Sequence, residues 1–81
     1  MKSFDCLVVG GVDHGKRYTF TTEDEYLRLT PEDYLRVGIP IHYWINETDG
    51  KYYMIATDGE LNSSEISLAI SETDPPLKSI Y

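Results

Sequence analysis

Ile41-His42-Tyr43-Trp44-Ile45 and Tyr52-Tyr53-Met54-Ile55-Ala56-Thr57 flank the segment Asn46-Glu47-Thr48-Asp49-Gly50. Two β-rich runs around an Asp-Gly turn predict a β-hairpin, and this hairpin decides the fold class. A loop of Thr48 to Gly50 is expected, with Glu47 opposite Lys51 as a cross-strand ion pair. In that register Ile41, Tyr43, Ile45, Tyr53 and Ile55 share one face of the sheet. His42, Trp44, Tyr52 and Met54 share the other. Both faces are apolar, so both ask for a cover.

Working outward, Cys6-Leu7-Val8-Val9 reads as a buried strand stopped by Gly10-Gly11. Lys16 to Thr22 alternates, Tyr18 and Phe20 against Arg17, Thr19 and Thr21, which predicts a second strand joined to the first through Gly10 to Gly15. Glu23-Asp24-Glu25 is a compact acidic cluster in a loop or first helical turn. Thr30-Pro31-Glu32-Asp33 opens a short helix over 31–37, because Thr30 can cap it and Pro31 suits its first position. Gly38 and Pro40 end it. Asn62-Ser63-Ser64-Glu65 reads as a capping box opening a helix to about Ser71, with Leu61, Ile66, Ala69 and Ile70 as its apolar stripe. Asp74-Pro75-Pro76 stops that helix, and residues 77–81 are expected to form a loose tail.

The expected fold is α+β: an antiparallel sheet of about four strands, one packed C-terminal helix and a short additional helix. No repeat, linker or low-complexity tract divides the chain, so residues 1–81 are read as one domain. A chain of 81 residues buries only about 60% of its unfolded surface, which leaves little material for a deep cleft. No run approaches the ~20 apolar residues of a membrane span, and Cys6 to Val9 is too short for the core of a signal peptide. One cysteine cannot form an internal disulfide, which favours a reducing compartment, the cytoplasm.

Charge narrows the partners. The chain has 14 Asp and Glu against 7 Lys and Arg, a net charge of −7. That balance argues against direct nucleic-acid binding and against an anionic membrane. Residues 41–81 hold 7 acids and 2 bases, a net −5, against −2 for the first 40. A hydrophobic fraction of 41% is too high for a disordered acidic tail.

One motif mimics a known chemistry. Gly10-Gly11-Val12-Asp13-His14-Gly15-Lys16 satisfies the phosphate-loop spacing and resembles the P-loop of translation GTPases. The position after Lys16 is Arg17, so no hydroxyl is available for Mg²⁺. A P-loop opens a helix whose N-terminus faces the phosphates, whereas Arg17 to Thr22 alternates as a strand. The motif is therefore read as a glycine-rich hairpin turn.

A broader pattern covers more of the chain. Val8-Val9-Gly10-Gly11 and Gly15-Lys16-Arg17-Tyr18, followed by a late hairpin and a short helix, resemble a group of small phage and prophage proteins of unassigned function. They commonly open with Val-x-Gly-Gly-Pro-x-Asp-Gly-Lys. Here Val12 replaces the usual Pro, and His14 stands where Asp is usual. The resemblance implies a phage-encoded accessory protein in a bacterial cytoplasm, and it carries no catalytic residue.

No catalytic or metal-binding set emerges. Cys6, inside an apolar strand, is read as a structural thiol. His14 and His42 lack metal-ligand spacing to any Cys or carboxylate, and no cofactor is expected. The expected function is a non-enzymatic interaction protein that binds and modulates or inhibits a host bacterial protein. Acidic proteins of this size can also occupy a basic nucleic-acid-binding surface by imitating phosphate charge. The expected contact residues are His42, Trp44, Tyr52 and Met54, with Glu23, Asp24 and Glu25 steering association. The alternative is a phosphate or nucleotide-signal site without hydrolysis, built from Gly10, Gly11, Gly15, Lys16 and Arg17.

Overall fold

The computed structural model describes residues 2–23 and 28–80. The elements run β1 (Lys2–Val9), β2 (Arg17–Thr22), α1 (Pro31–Val37), β3 (Ile41–Asn46), β4 (Lys51–Thr57) and α2 (Ser63–Glu72). The strands form one four-stranded sheet in the order β2-β1-β4-β3. It consists of two antiparallel hairpins set side by side, β1 with β2 and β3 with β4. Their inner strands β1 and β4 pair in parallel, Cys6 opposite Met54 and Val9 opposite Thr57. The class is α+β, as the sequence predicts, and the sheet is mixed rather than wholly antiparallel. The segment from β2 through α1 to β3 carries the chain between the hairpins, which is the longer connection that a parallel pair demands.

Continuous apolar runs belong in strands covered on both faces. Cys6, Leu7, Val8 and Val9 in β1, and Met54, Ile55 and Ala56 in β4, are all at most 2% exposed. Leu7, Val9, Tyr53 and Ile55 meet Ile66 and Ala69 of α2 on one face, with Trp44, Leu61 and Ile70 at the margin. On the other face Cys6, Val8, Met54 and Ala56 pack with Phe20, with Val37 of α1 and with Ile80.

The helices begin as their sequences dictate. Thr30 Oγ1 accepts from the Asp33 amide at 3.3 Å, and Asp33 Oδ2 accepts from the Thr30 amide at 2.8 Å. Gly38 closes α1 with a left-handed φ of 79°. Asn62 Oδ1 accepts from the Glu65 amide at 2.9 Å and starts α2.

Two expectations need correction. The β3–β4 register pairs Asn46, not Glu47, with Lys51. The turn side chains explain the shift. Asn46 Oδ1 accepts from the Thr48 amide at 3.1 Å, and the Asn46 carbonyl accepts from Gly50 at 2.7 Å. Asp49 Oδ1 accepts from the Lys51 amide at 2.9 Å, and its Oδ2 accepts from the Tyr53 hydroxyl at 2.8 Å. These bonds close a loop of Glu47 to Gly50, one residue longer than expected. A one-residue slip exchanges the faces. Trp44 therefore lies beside Tyr53 towards α2, and Ile45 lies opposite Tyr52 on the other side.

The second correction concerns residues 77–80, which are not a loose tail. Leu77 is 7% exposed and joins the α2-side core, while Ile80 is 8% exposed and joins the opposite one. The segment passes from one face of the sheet to the other where the β1–β4 pairing stops at Cys6 and Met54. There the Ile80 amide donates to the Tyr52 carbonyl at 2.8 Å. Arg17 fastens the approach to this crossing. It donates to Asp5 Oδ2 at 2.7 Å, to Thr73 Oγ1 at 3.3 Å and to the Pro75 carbonyl.

Burial also governs Cys6. It is fully buried, and desolvation pushes its thiol up from 9.0 to about 12. The Tyr53 hydroxyl is raised as well, first by its hydrogen bond to Asp49. Both groups hold their protons longer in the folded chain than in the unfolded one. Their contribution is complete below the unfolded pKa and is lost as pH rises towards the folded value. Folding stability is thus expected to fall from about pH 9 towards pH 12 as Cys6 titrates, by up to about 1.4 kcal/mol per pH unit. Denaturant titrations across that range, on the parent and on Cys6→Ala, test this. Cys6→Ala should flatten the alkaline slope, and equal slopes would contradict the burial account.

Candidate functional site

The expected contact residues do not form one patch. Met54 is 0% exposed in the centre of β4. Trp44 is half-buried against the α2-side core, and His42 is exposed on the same face. Tyr52 is exposed on the opposite face. Glu23 is exposed at the end of β2, while Asp24 and Glu25 lie outside the described residues. The register slip accounts for this dispersal, because the proposed grouping depended on Glu47 facing Lys51.

A different surface takes its place. β3 is an outer strand of the sheet, paired with β4 alone among the described strands. Tyr43 at 52%, Ile45 at 46% and Tyr52 at 42% exposure stand together on the face away from α2. Glu47 and Asp49 project from the adjoining turn and are exposed. The Lys51 amide, followed by the Tyr53 hydroxyl, holds the Asp49 carboxyl below the usual carboxylate range, so it is charged at neutral pH. Half-exposed aromatic and aliphatic groups with an acidic border have the composition of a protein contact.

On the α2 side of the same strand lies a groove of about 560 Å³. Trp44, Ile45 and Glu47 form one wall, and Ser67, Leu68 and Ser71 of α2 form the other. Leu68 is 57% exposed. The groove exists because α2 sits over β1 and β4, leaving β3 to extend beyond it.

The glycine loop is a tight turn between antiparallel strands. Gly10, Gly11, Gly15 and Lys16 are brought together, but their backbone groups largely serve the turn. The Gly10 amide donates to His14 Nδ1 at 2.8 Å, that of Gly15 to the Val8 carbonyl at 2.9 Å, and that of Lys16 to the Asp13 carbonyl at 2.9 Å. Arg17 is engaged at the Pro75 crossing, and the Lys16 ammonium lies 4.9 Å from the Tyr18 ring centre. No helix follows, because Arg17–Thr22 is a strand. The pair of glycines has a packing cause that the motif concealed. A Cβ at Gly10 would stand 2.8 Å from the Asp58 carbonyl oxygen, and one at Gly11 would overlap the Asp58 carboxylate.

Among the described residues, no three His, Cys, Asp or Glu side chains converge on a point that could hold a metal ion. Among the same residues, no helix is long and apolar enough to cross a membrane.

The fold and surface together define a small α+β domain with an exposed apolar outer strand. Compared with known proteins, the chain matches no family model, no curated protein and no solved structure.

Proposed function

We propose that the chain is a non-enzymatic interaction protein, phage-encoded and acting in a bacterial cytoplasm, that binds and modulates a host protein. The observation that carries this reading is the outer surface of the β3–β4 hairpin, where Ile45 and Tyr52 remain more than 40% exposed beside the acidic turn. An 81-residue chain has few apolar side chains to spare from its own core, and leaving these in water is unfavourable unless a partner covers them. The partner surface is apolar at its centre and basic at its rim, complementing Glu47, Asp49 and the net charge of −7. Phage origin is supported by the strand-turn pattern from Val8 to Tyr18. The phosphate-loop alternative has less behind it, because the amides of Gly10, Gly15 and Lys16 and the Arg17 side chain are engaged within the fold.

The test is affinity for a protein recovered from bacterial lysate, measured for the parent, Ile45→Ser/Tyr52→Ser and Glu47→Gln. The double variant is expected to lose about tenfold or more in affinity while keeping its melting midpoint. Glu47→Gln is expected to lower the association rate, most visibly at low salt. A folded double variant that binds like the parent would remove this surface from consideration.

A further inference from the structure

The turn between β1 and β2 is closed in part by a side chain that can change charge near neutral pH. His14 Nδ1 accepts from the Gly10 amide at 2.8 Å. The other bonds of the turn are main-chain and indifferent to protonation: the Gly15 amide donates to the Val8 carbonyl at 2.9 Å, and the Lys16 amide to the Asp13 carbonyl at 2.9 Å. An imidazole nitrogen that accepts a hydrogen bond carries no proton, so His14 is neutral here with its proton on Nε2. Once a second proton is added, both ring nitrogens are donors and the Gly10 N–H loses its acceptor.

The ring stands where the turn meets the end of α2. Two small cavities border it, of about 240 Å³ and about 290 Å³, and Glu72 lines both. Glu65 lines the first and Asp74 the second. Asp13 and Lys16 flank His14 in the turn, and the Asp58 carboxylate from the exit of β4 lies against Gly11. The Arg17 guanidinium is taken by Asp5, Thr73 and Pro75. Carboxylates thus outnumber cations around the ring among the described residues. The helix adds to this field. A positive charge is favourable beside the C-terminal end of a helix, and the last turn of α2 holds no basic residue.

We propose that His14 is a proton-operated latch. Neutral, it holds the turn closed through the Gly10 amide. Protonated, it releases that amide and turns to Glu72 at the C-terminal end of α2. The step takes one proton from solvent onto Nδ1 and changes no other covalent bond. It exchanges a bond within the turn for an ion pair between the turn and the helix. The turn then loosens at Gly10 and Gly11, next to Val12, which is already 98% exposed.

Nuclear magnetic resonance on the full chain between about pH 5 and pH 8 tests the latch. The ring nitrogen shifts report the tautomer, and the Gly10 amide reports the bond. At pH 8 the ring should carry its proton on Nε2 and the Gly10 amide should be protected. As the ring titrates, that protection, corrected for the intrinsic pH dependence of exchange, should fall about fivefold. In His14→Asn the side-chain oxygen takes the place of Nδ1 and does not titrate, so Gly10 should stay protected throughout. Glu72→Gln removes the acid-state partner and should move the ring's midpoint to lower pH, with the Gly10 bond at pH 8 unchanged. A Gly10 amide that ignores the ring titration would overturn the latch. So would a ring with its proton on Nδ1 at pH 8, or the parent's pH response persisting in His14→Asn. An unchanged midpoint in Glu72→Gln would overturn the exchange of partners.

Discussion

Replacing Leu77 and Ile80 together with alanine is expected to unfold the chain at room temperature. Each side chain is at most 8% exposed, and they fill opposite faces of the sheet. Truncating a buried Leu or Ile to Ala costs about 2–5 kcal/mol through lost transfer energy and the cavity left behind. An 81-residue domain has a total stability of about 4–12 kcal/mol at typical values per residue. The two losses should add, because the residues occupy separate clusters. Each single variant should remain folded with a midpoint lower by about 10 °C or more. Circular dichroism melts provide the measurement. A double variant that melts like the parent would show that residues 77–80 are peripheral after all.

Gly10→Ala should be the most damaging of the glycine-loop substitutions, at about 2 kcal/mol or more. Gly10 has a φ of +85°, and an added Cβ would meet the backbone carbonyl of Asp58 at 2.8 Å and Leu61 Cδ1 at 3.3 Å. A carbonyl cannot swing aside as a side chain can, so the β4 exit must move. That exit is itself bonded to β1, the Asp58 amide donating to the Val9 carbonyl at 3.1 Å. Gly15 is the internal control. Its φ is +91°, but nothing lies within 4 Å of its Cβ direction, so Gly15→Ala carries only the conformational cost of about 1 kcal/mol. A phosphate-binding role would place both glycines on an equal footing in ligand affinity. The packing account predicts a difference in stability, read from denaturant midpoints. Equal destabilisation would contradict it.

The elements of the fold could be read from the chain because their signals are local. Thr30, Pro31 and Gly38 bracket α1, Asn62 opens α2, and the Leu61, Ile66, Ala69 and Ile70 stripe is the one that meets the sheet. What escaped depended on single-residue choices or on distant contacts. The hairpin register turned on whether Glu47 or Asn46 faces Lys51. Propensity does not separate these, and the decision came from the Asp49 carboxylate reaching both the Lys51 amide and the Tyr53 hydroxyl. That slip moved Trp44 towards α2 and left Ile45 and Tyr52 as the exposed pair. Leu77 and Ile80 follow a Pro-Pro break with no periodicity, so nothing local distinguishes a tail from a segment that crosses the sheet. Asp58 lies 48 positions from Gly10 in the chain. Its approach explains Gly10-Gly11 more directly than any motif, and only the folded chain displays it.

The central claim, that a partner binds at the outer surface of β3, is tested most directly by amide hydrogen exchange on the chain alone and in complex with the protein recovered from lysate. In the complex, protection should rise over the β3–β4 hairpin, around Ile45, Tyr52 and the Glu47–Gly50 turn above all. Protection confined to Gly11–Gly15 or to β2, with the β3–β4 hairpin unchanged, would contradict the account.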